Sequence, residues 1–215
     1  MSDKVTILDY GMCNLLNVVR AFEHCGAVVV VTDDASVALR AEKLVVPGVG
    51  AFRDSINEIE AKGMGDAIKR YIETGRPFLG ICVGMQMLFD GSEEFGDHPG
   101  LGVLSGRVVA IPKLTTEGIV QRIPHIGWNH LVQPETIRSW RGSQLEGFEG
   151  KEPAVYFVHS FAAIPADPSV RLADTIYGGH RICAAVQRDN VMATQFHPER
   201  SGEVGLNIIR GFMRN

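Results

Sequence analysis

Short apolar runs alternate with amphipathic stretches from the N-terminus to Phe89. Residues 5–8, 27–32, 43–46 and 78–81 are each apolar over the length of a buried strand, too short for a typical helix. Between them, Leu15, Val18, Val19 and Phe22 recur at helical spacing, with Asn14 placed to cap the start and Gly26 to stop the end. A short helix follows to about Arg40, and two more are predicted over 54–61 and 64–74; the last aligns Met64, Ala67, Ile68 and Ile72 on one stripe. Strands without polar alternation, separated by amphipathic helices, predict a parallel sheet covered on both faces.

Beyond Phe89 the pattern changes. Residues 91–150 are rich in glycine, proline and charge, with β-like pieces at 103–111 and 130–133, which predicts an antiparallel or irregular region beside the sheet. Further strands are expected at 155–158, 170–176, 183–187 and 191–196, and a closing helix over 204–213 carries Leu206, Ile209 and Met213 on one face. No repeat or linker divides the chain, so residues 1–215 are expected to form one α/β domain with a mostly parallel central sheet, helices on both faces and a flanking antiparallel region.

Composition narrows the function classes. The chain has 215 residues, 21% of them charged, and a net charge of −4, with no Lys/Arg run to track phosphates, so nucleic-acid binding is not expected. The first apolar run is closed by Asp9, far short of a secretion signal or a membrane span. Cys13, Cys25, Cys82 and Cys183 are irregularly spaced, which predicts reduced thiols and a cytoplasmic setting. The histidines show no metal-ligand spacing, His125 and His130 being five apart, so no metal and no cofactor are assigned.

Chemistry concentrates in three places. In Gly-Ile-Cys-Val-Gly, Cys82 lies between the apolar run 78–81 and a helical pattern over 84–89, with Gly80 and Gly84 flanking it, the layout of a nucleophile elbow with cysteine in place of serine. Such a turn sets the sulfur at a helix start, where backbone N–H groups and the helix dipole favour an anion. The third strand runs into Pro-Gly-Val-Gly at 47–50, where Val49 and Gly50, together with Val83 after the cysteine, are candidate backbone donors to an oxyanion. The last strand delivers His197-Pro198-Glu199. In extended backbone, residues two apart project to the same side, so Glu199 is expected beside His197, orienting it as base and then acid for Cys82. All three features are expected on the C-terminal rim of the sheet, where ligands of open α/β sheets bind.

Gly-Ile-Cys-Val-Gly-Met-Gln at 80–86 and Gln-Phe-His-Pro-Glu at 195–199 are similar to the two most specific motifs of class I (triad-type) glutamine amidotransferases, a resemblance that spans essentially the whole chain. Asp-Tyr-Gly at 9–11, Asn14, Pro-Gly-Val-Gly at 47–50, Pro-His-Ile-Gly-Trp-Asn at 124–129 and Tyr-Phe-Val-His-Ser at 156–160 further resemble the HisH family, the glutaminase subunit of imidazole glycerol phosphate synthase. The resemblance implies a flavodoxin-like amidotransferase fold, L-glutamine as substrate, and ammonia passed to a HisF-type (β/α)8-barrel partner in a heterodimer of histidine biosynthesis. It implies the triad Cys82, His197 and Glu199. It further implies substrate contacts from Gly50, Val83, Gln86, Glu94, Ser160 and Phe161, and a partner-facing set of Asn14, Trp128, Asn129 and Arg200. Cys13, Phe161 and Arg200 stand where the family commonly has glycine, tyrosine and lysine.

Low glutaminase activity is expected of the isolated chain, with the Pro-Gly-Val-Gly loop holding a peptide turned the wrong way until the partner binds. Three alternatives remain at this level: the same glutaminase feeding an N-acetyl sugar amidotransferase of surface polysaccharide synthesis, a free-standing cysteine hydrolase of γ-glutamyl compounds, and a non-enzymatic binding module. An exposed Trp128 speaks against the free-standing hydrolase.

Overall fold

The structure, a computed structural model, describes residues 3–136 and 139–214. Its first part repeats strand and helix: β1 (Lys4–Leu8), α1 (Leu15–His24), β2 (Val28–Thr32), α2 (Ala35–Leu39), β3 (Lys43–Gly48), α3 (Phe52–Ala61), α4 (Met64–Glu73) and β4 (Phe78–Cys82). After a one-turn helix α5 (Val83–Gln86) come β5 (Phe89–Ser92), β6 (His98–Pro99), β7 (Leu104–Ala110) and β8 (His125–His130). The remainder is β9 (Ala154–His159), β10 (Phe161–Pro165), β11 (Arg171–Tyr177), β12 (His180–Arg188), β13 (Val191–Thr194) and α6 (Gly202–Met213).

The central sheet runs β11-β12-β13-β4-β3-β1-β2. Its members from β13 to β2 are parallel, and β11 and β12 are added antiparallel at one edge. Right-handed crossovers decide where the helices lie: the chain steps one way from β1 to β2 and the other way through β3 to β4, so α1 falls on one face and α2, α3 and α4 on the other. Helix α6 joins α1, with Phe22 and Phe212 edge to face at 6.2 Å. Covered on both faces, β4 is buried at every residue. Strand β2 is paired only with β1, and as an edge strand it leaves Val28 and Val31 about half exposed despite its apolar sequence.

The region beyond Phe89 departs from the sequence pattern in detail. The helical pattern expected to continue to Phe89 stops after one turn, and Phe89 instead starts β5, where its buried ring serves a second sheet of order β10-β7-β5-β6. A short apolar run fits either element, and here pairing with β7 decides for the strand. That sheet and the β8–β9 pair are antiparallel except for the parallel pairing of β5 and β7. The strand expected at 130–133 is displaced: pairing with β9 covers His125–His130, and only a single bridge, Val132 to Asp174, follows. Trp140 pins the irregular stretch after it, buried and donating from Nε1 to the Leu172 carbonyl at 2.7 Å. Among the described residues no helix is long and apolar enough to cross a membrane.

Candidate active site

Three parallel neighbours, β3, β4 and β13, end on one rim, and each delivers one of the chemically marked segments there. Cys82 ends β4 with φ 56° and ψ −111°, a conformation side chains rarely adopt. The flanking glycines make the turn possible. A Cβ on Gly80 would stand 2.7 Å from the Gly84 carbonyl oxygen, and one on Gly84 would overlap the Val46 carbonyl. The Gly-x-Cys-x-Gly spacing is therefore a packing requirement of a strand turning directly into α5 against β3.

His197 follows β13 with its N–H donating to the Tyr156 carbonyl at 3.0 Å, while the Ser201 hydroxyl donates to its own carbonyl at 2.6 Å. Its Nδ1 lies 2.7 Å from Glu199 Oε1, both side chains only 4% exposed. The extended geometry expected for this pair is corrected: Pro198–Arg200 is a 3-10 turn, and the tight turn folds the carboxylate back under the ring. Nε2 is buried without a well-aligned hydrogen-bond partner, and the group acting on it is Cys82. Burial alone would push the imidazole toward neutrality; the nearby Cys82 sulfur and the Glu199 carboxylate outweigh it and hold the imidazolium up to about 10.

A cavity of about 290 Å³ opens over the sulfur, at the small end of ligand pockets, and Val49, Gly50, Val83, Gln86, Glu94, Ser160, Phe161 and His197 all line it with Cys82. Glu94 also accepts from the Phe52 N–H at 2.7 Å, so a carboxylate from beyond β5 caps α3, whose own cap position, Ala51, has no side-chain acceptor. The Gln86 amide nitrogen donates to the Phe161 carbonyl at 3.0 Å and to Gln195 Oε1 at 2.9 Å. Of the expected oxyanion donors, Val49 does not point its N–H at the cavity here: it donates to the Met12 carbonyl at 2.9 Å.

The expected partner-facing residues divide. Trp128 is 59% exposed and stands edge-on to Tyr156 at 6.3 Å, and the Arg200 guanidinium lies 4.3 Å over the same Tyr156 ring, so the two form one patch. Asn14 is exposed at the start of α1 but makes no side-chain cap. Asn129 is half-buried, and its amide nitrogen donates to the Ile176 carbonyl at 2.9 Å and contacts His125 Nε2 at 3.3 Å. Residues the sequence pattern left without a site role also reach the cavity region. Pro124 and His159 line it, His159 bonds His125, and Gln195 Nε2 donates to the Cys82 sulfur at 3.6 Å. The signal for Gln195 was a lone amide inside the apolar run 191–196; nothing short of the β8–β9 register brings the two histidines together.

A family model described as glutamine amidotransferase class-I matches residues 6–215. The chain is 46% identical over 210 residues to imidazole glycerol phosphate synthase subunit HisH 1 of Legionella pneumophila strain Lens, covering 98% of both chains. It is 49% identical over 211 residues to the HisH subunit of Syntrophotalea carbinolica, covering 97% of this chain and 98% of that one. The chain belongs to the class I glutamine amidotransferases, in their HisH family. The amidotransferase fold also appears in solved structures at low identity: PurLQS of Thermotoga maritima matches at TM-score 0.68 and 19% identity, covering 100% of this chain and 99% of that one. A glutamine amidotransferase of Thermotoga maritima matches at TM-score 0.63 and 15% identity, covering 94% of this chain and 78% of that one.

Proposed function

We propose that this HisH-family chain hydrolyses L-glutamine to L-glutamate and ammonia at Cys82 and passes the ammonia to a HisF-type (β/α)8-barrel partner, as the glutaminase half of imidazole glycerol phosphate synthase. The observation that carries the reading is the pairing on one rim of a strained elbow cysteine with a buried imidazole held by a carboxylate at 2.7 Å.

Glutamine enters the cavity with its side-chain amide over the sulfur. Gln86, with its amide nitrogen engaged by Phe161 and Gln195, keeps its own oxygen as acceptor, and Glu94 adds a carboxylate, which suits the ammonium end of an amino acid. The Cys82 thiolate attacks the amide carbon, and the Val83 N–H receives the developing oxyanion, joined by the Val49–Gly50 segment once the Val49 N–H leaves the Met12 carbonyl, each such donor contributing roughly 10²- to 10³-fold in rate. His197, protonated and held by Glu199, gives its proton to the departing nitrogen, leaving a γ-glutamyl thioester and ammonia. The neutral imidazole then takes a proton from water, whose oxygen attacks the thioester carbon; the C–S bond breaks, the new γ-carboxylic acid of glutamate leaves and gives its proton to solvent, and the Cys82 thiolate and protonated His197 are restored.

The relatives at 46% and 49% identity bear the synthase-subunit name, which supports the histidine pathway over a sugar amidotransferase. An exposed patch of Ile126, Trp128 and Arg200 supports a protein partner there. All four thiols are unbridged, which supports a reducing, cytoplasmic setting. The test is to assemble the chain with the barrel partner, follow glutamate release, and identify the aminated product. Cys82→Ala must abolish both; glutamate release by that variant, or amination of a nucleotide sugar instead, overturns the proposal.

A further inference from the structure

One hydrogen-bonded chain crosses the molecule from the β8 surface to the nucleophile, and its polarity is fixed at two points by backbone carbonyls. At the outer end the Ile176 carbonyl can only accept, so Asn129 presents its amide nitrogen there and toward His125 Nε2. His125 Nε2 is then the acceptor and its Nδ1 carries the hydrogen, which faces His159 Nε2 at 3.1 Å. His159 Nε2 accepts, so its Nδ1–H donates to the Phe161 carbonyl at 2.9 Å. Both imidazoles are neutral in this arrangement, and burial pushes them that way, His125 to about 4 and His159 to about 3.

The Phe161 oxygen has a second lone pair, and Gln86 Nε2 fills it. With its nitrogen fixed there, Gln86 gives its other hydrogen to Gln195 Oε1, and Gln195 is left with its Nε2 toward the Cys82 sulfur at 3.6 Å.

We infer that Gln195 is a catalytic residue of the glutaminase reaction: its side-chain amide donates to the Cys82 sulfur and stabilises the thiolate, while Gln86 and the Phe161 carbonyl are positioning groups that set its polarity. The inference rests on Cys82 being the nucleophile proposed above. A hydrogen bond to a charged partner is worth about tenfold or more in the population of that charge state. Gln195 is fully buried, and an amide in an otherwise apolar segment needs partners for both ends; here one end has Gln86 and the other the sulfur.

The readout is the rate of Cys82 alkylation by iodoacetamide from pH 5 to 10 in the full-length chain, with Cys13, Cys25 and Cys183 separated by peptide mapping. The titratable groups facing the sulfur are His197 and Glu199 after β13, Tyr10 after β1, and, around the cavity, Glu94 beyond β5 and His159 at the end of β9. None is altered in Gln195→Met, which keeps length and loses the donor. Expected is an alkylation rate about tenfold lower at neutral pH, a profile displaced to higher pH, and, with the barrel partner, a lower kcat at similar KM. Gln195→Glu keeps the side-chain shape, so it serves where the first variant fails to fold, and it replaces the donor by a carboxylate; its profile is expected to move further in the same direction. A profile for either folded variant that superimposes on that of the parent overturns the inference, because a packing role alone changes stability and leaves thiol reactivity alone. Alkylation reports on the sulfur whether or not glutamine is the substrate, so failure here is distinguishable from failure of the proposed function.

Discussion

Val49 donates its backbone N–H to the Met12 carbonyl at 2.9 Å, binding the loop after β3 to the loop after β1. The neighbouring Gly50 has φ +100°, and a Cβ there would meet the Met12 side chain at 3.2 Å. One of the donors assigned to the oxyanion is therefore occupied in the chain by itself. Rotating that peptide breaks one backbone hydrogen bond and supplies a donor worth roughly 10²- to 10³-fold. Glutamine turnover is expected to rise by about that factor when the barrel partner is added to the isolated chain. Steady-state glutamate release with and without the partner is the measurement, and equal rates would rule the occupied donor out as the cause.

Glu199 holds His197 from a 3-10 turn with both groups buried. Glu199→Gln preserves shape but replaces a carboxylate by an amide that can present either end to Nδ1, so it loses charge and weakens control of the tautomer. In the assembled synthase kcat for glutamine is expected to fall by about 10²- to 10⁴-fold with KM little changed. A parallel rise in KM would place Glu199 in substrate binding instead.

The sequence carried the parts of this site that are local. Gly80, Cys82 and Gly84 mark the elbow: Gly80 is hemmed in by the Gly84 carbonyl, a constraint between near neighbours that is visible in spacing, while the carbonyl against Gly84 is that of Val46 on β3, which spacing alone does not show. The parallel sheet was legible from its uninterrupted apolar strands, as was the common rim. What escaped depends on distant pairing. The histidine pair exists because His125 and His159 are register partners of β8 and β9, and β8 itself, with its alternately exposed residues, has no run of apolar positions. The hydrogen bond of Asn129 to the Ile176 carbonyl, 47 residues away, likewise has no local signal. Phe89 ended a helical pattern and became a strand because β7 was there to pair with it.

Gly84→Ala must push its methyl group into the Val46 carbonyl of β3, whereas Gly147→Ala meets nothing within 4 Å. The first is expected to lose about 1–3 kcal/mol of stability or more, as overpacked sites do, together with glutaminase activity, while the second stays close to the parent protein. Thermal unfolding of the two variants side by side checks this, and equal melting temperatures would mean that β3 and α5 are not held as closely as the structure has them.

The buried imidazoles give the fold opposite dependences at the two ends of the pH range. His125 and His159 are pushed down to about 4 and about 3, against an ordinary value near 6.5 in the unfolded chain. As pH falls below about 6.5 the unfolded chain takes up protons that the folded chain refuses, so stability drops down to about pH 4. His197 is raised to about 10; its contribution is complete below about pH 6.5 and is lost as pH climbs through about 10. His125→Phe keeps a ring between Phe157 and Tyr177, whose centroids lie 4.6 and 4.1 Å from the imidazole, and removes one titrating group. Its melting temperature is expected to decline less steeply than the parent's between pH 6.5 and 4, with no difference in slope above pH 7. His197→Asn is expected to do the reverse, flattening the alkaline limb only. Melting curves from pH 4 to 10.5 separate the two, and a His125→Phe variant whose acid limb parallels the parent's would show that the pair is protonated in the folded chain.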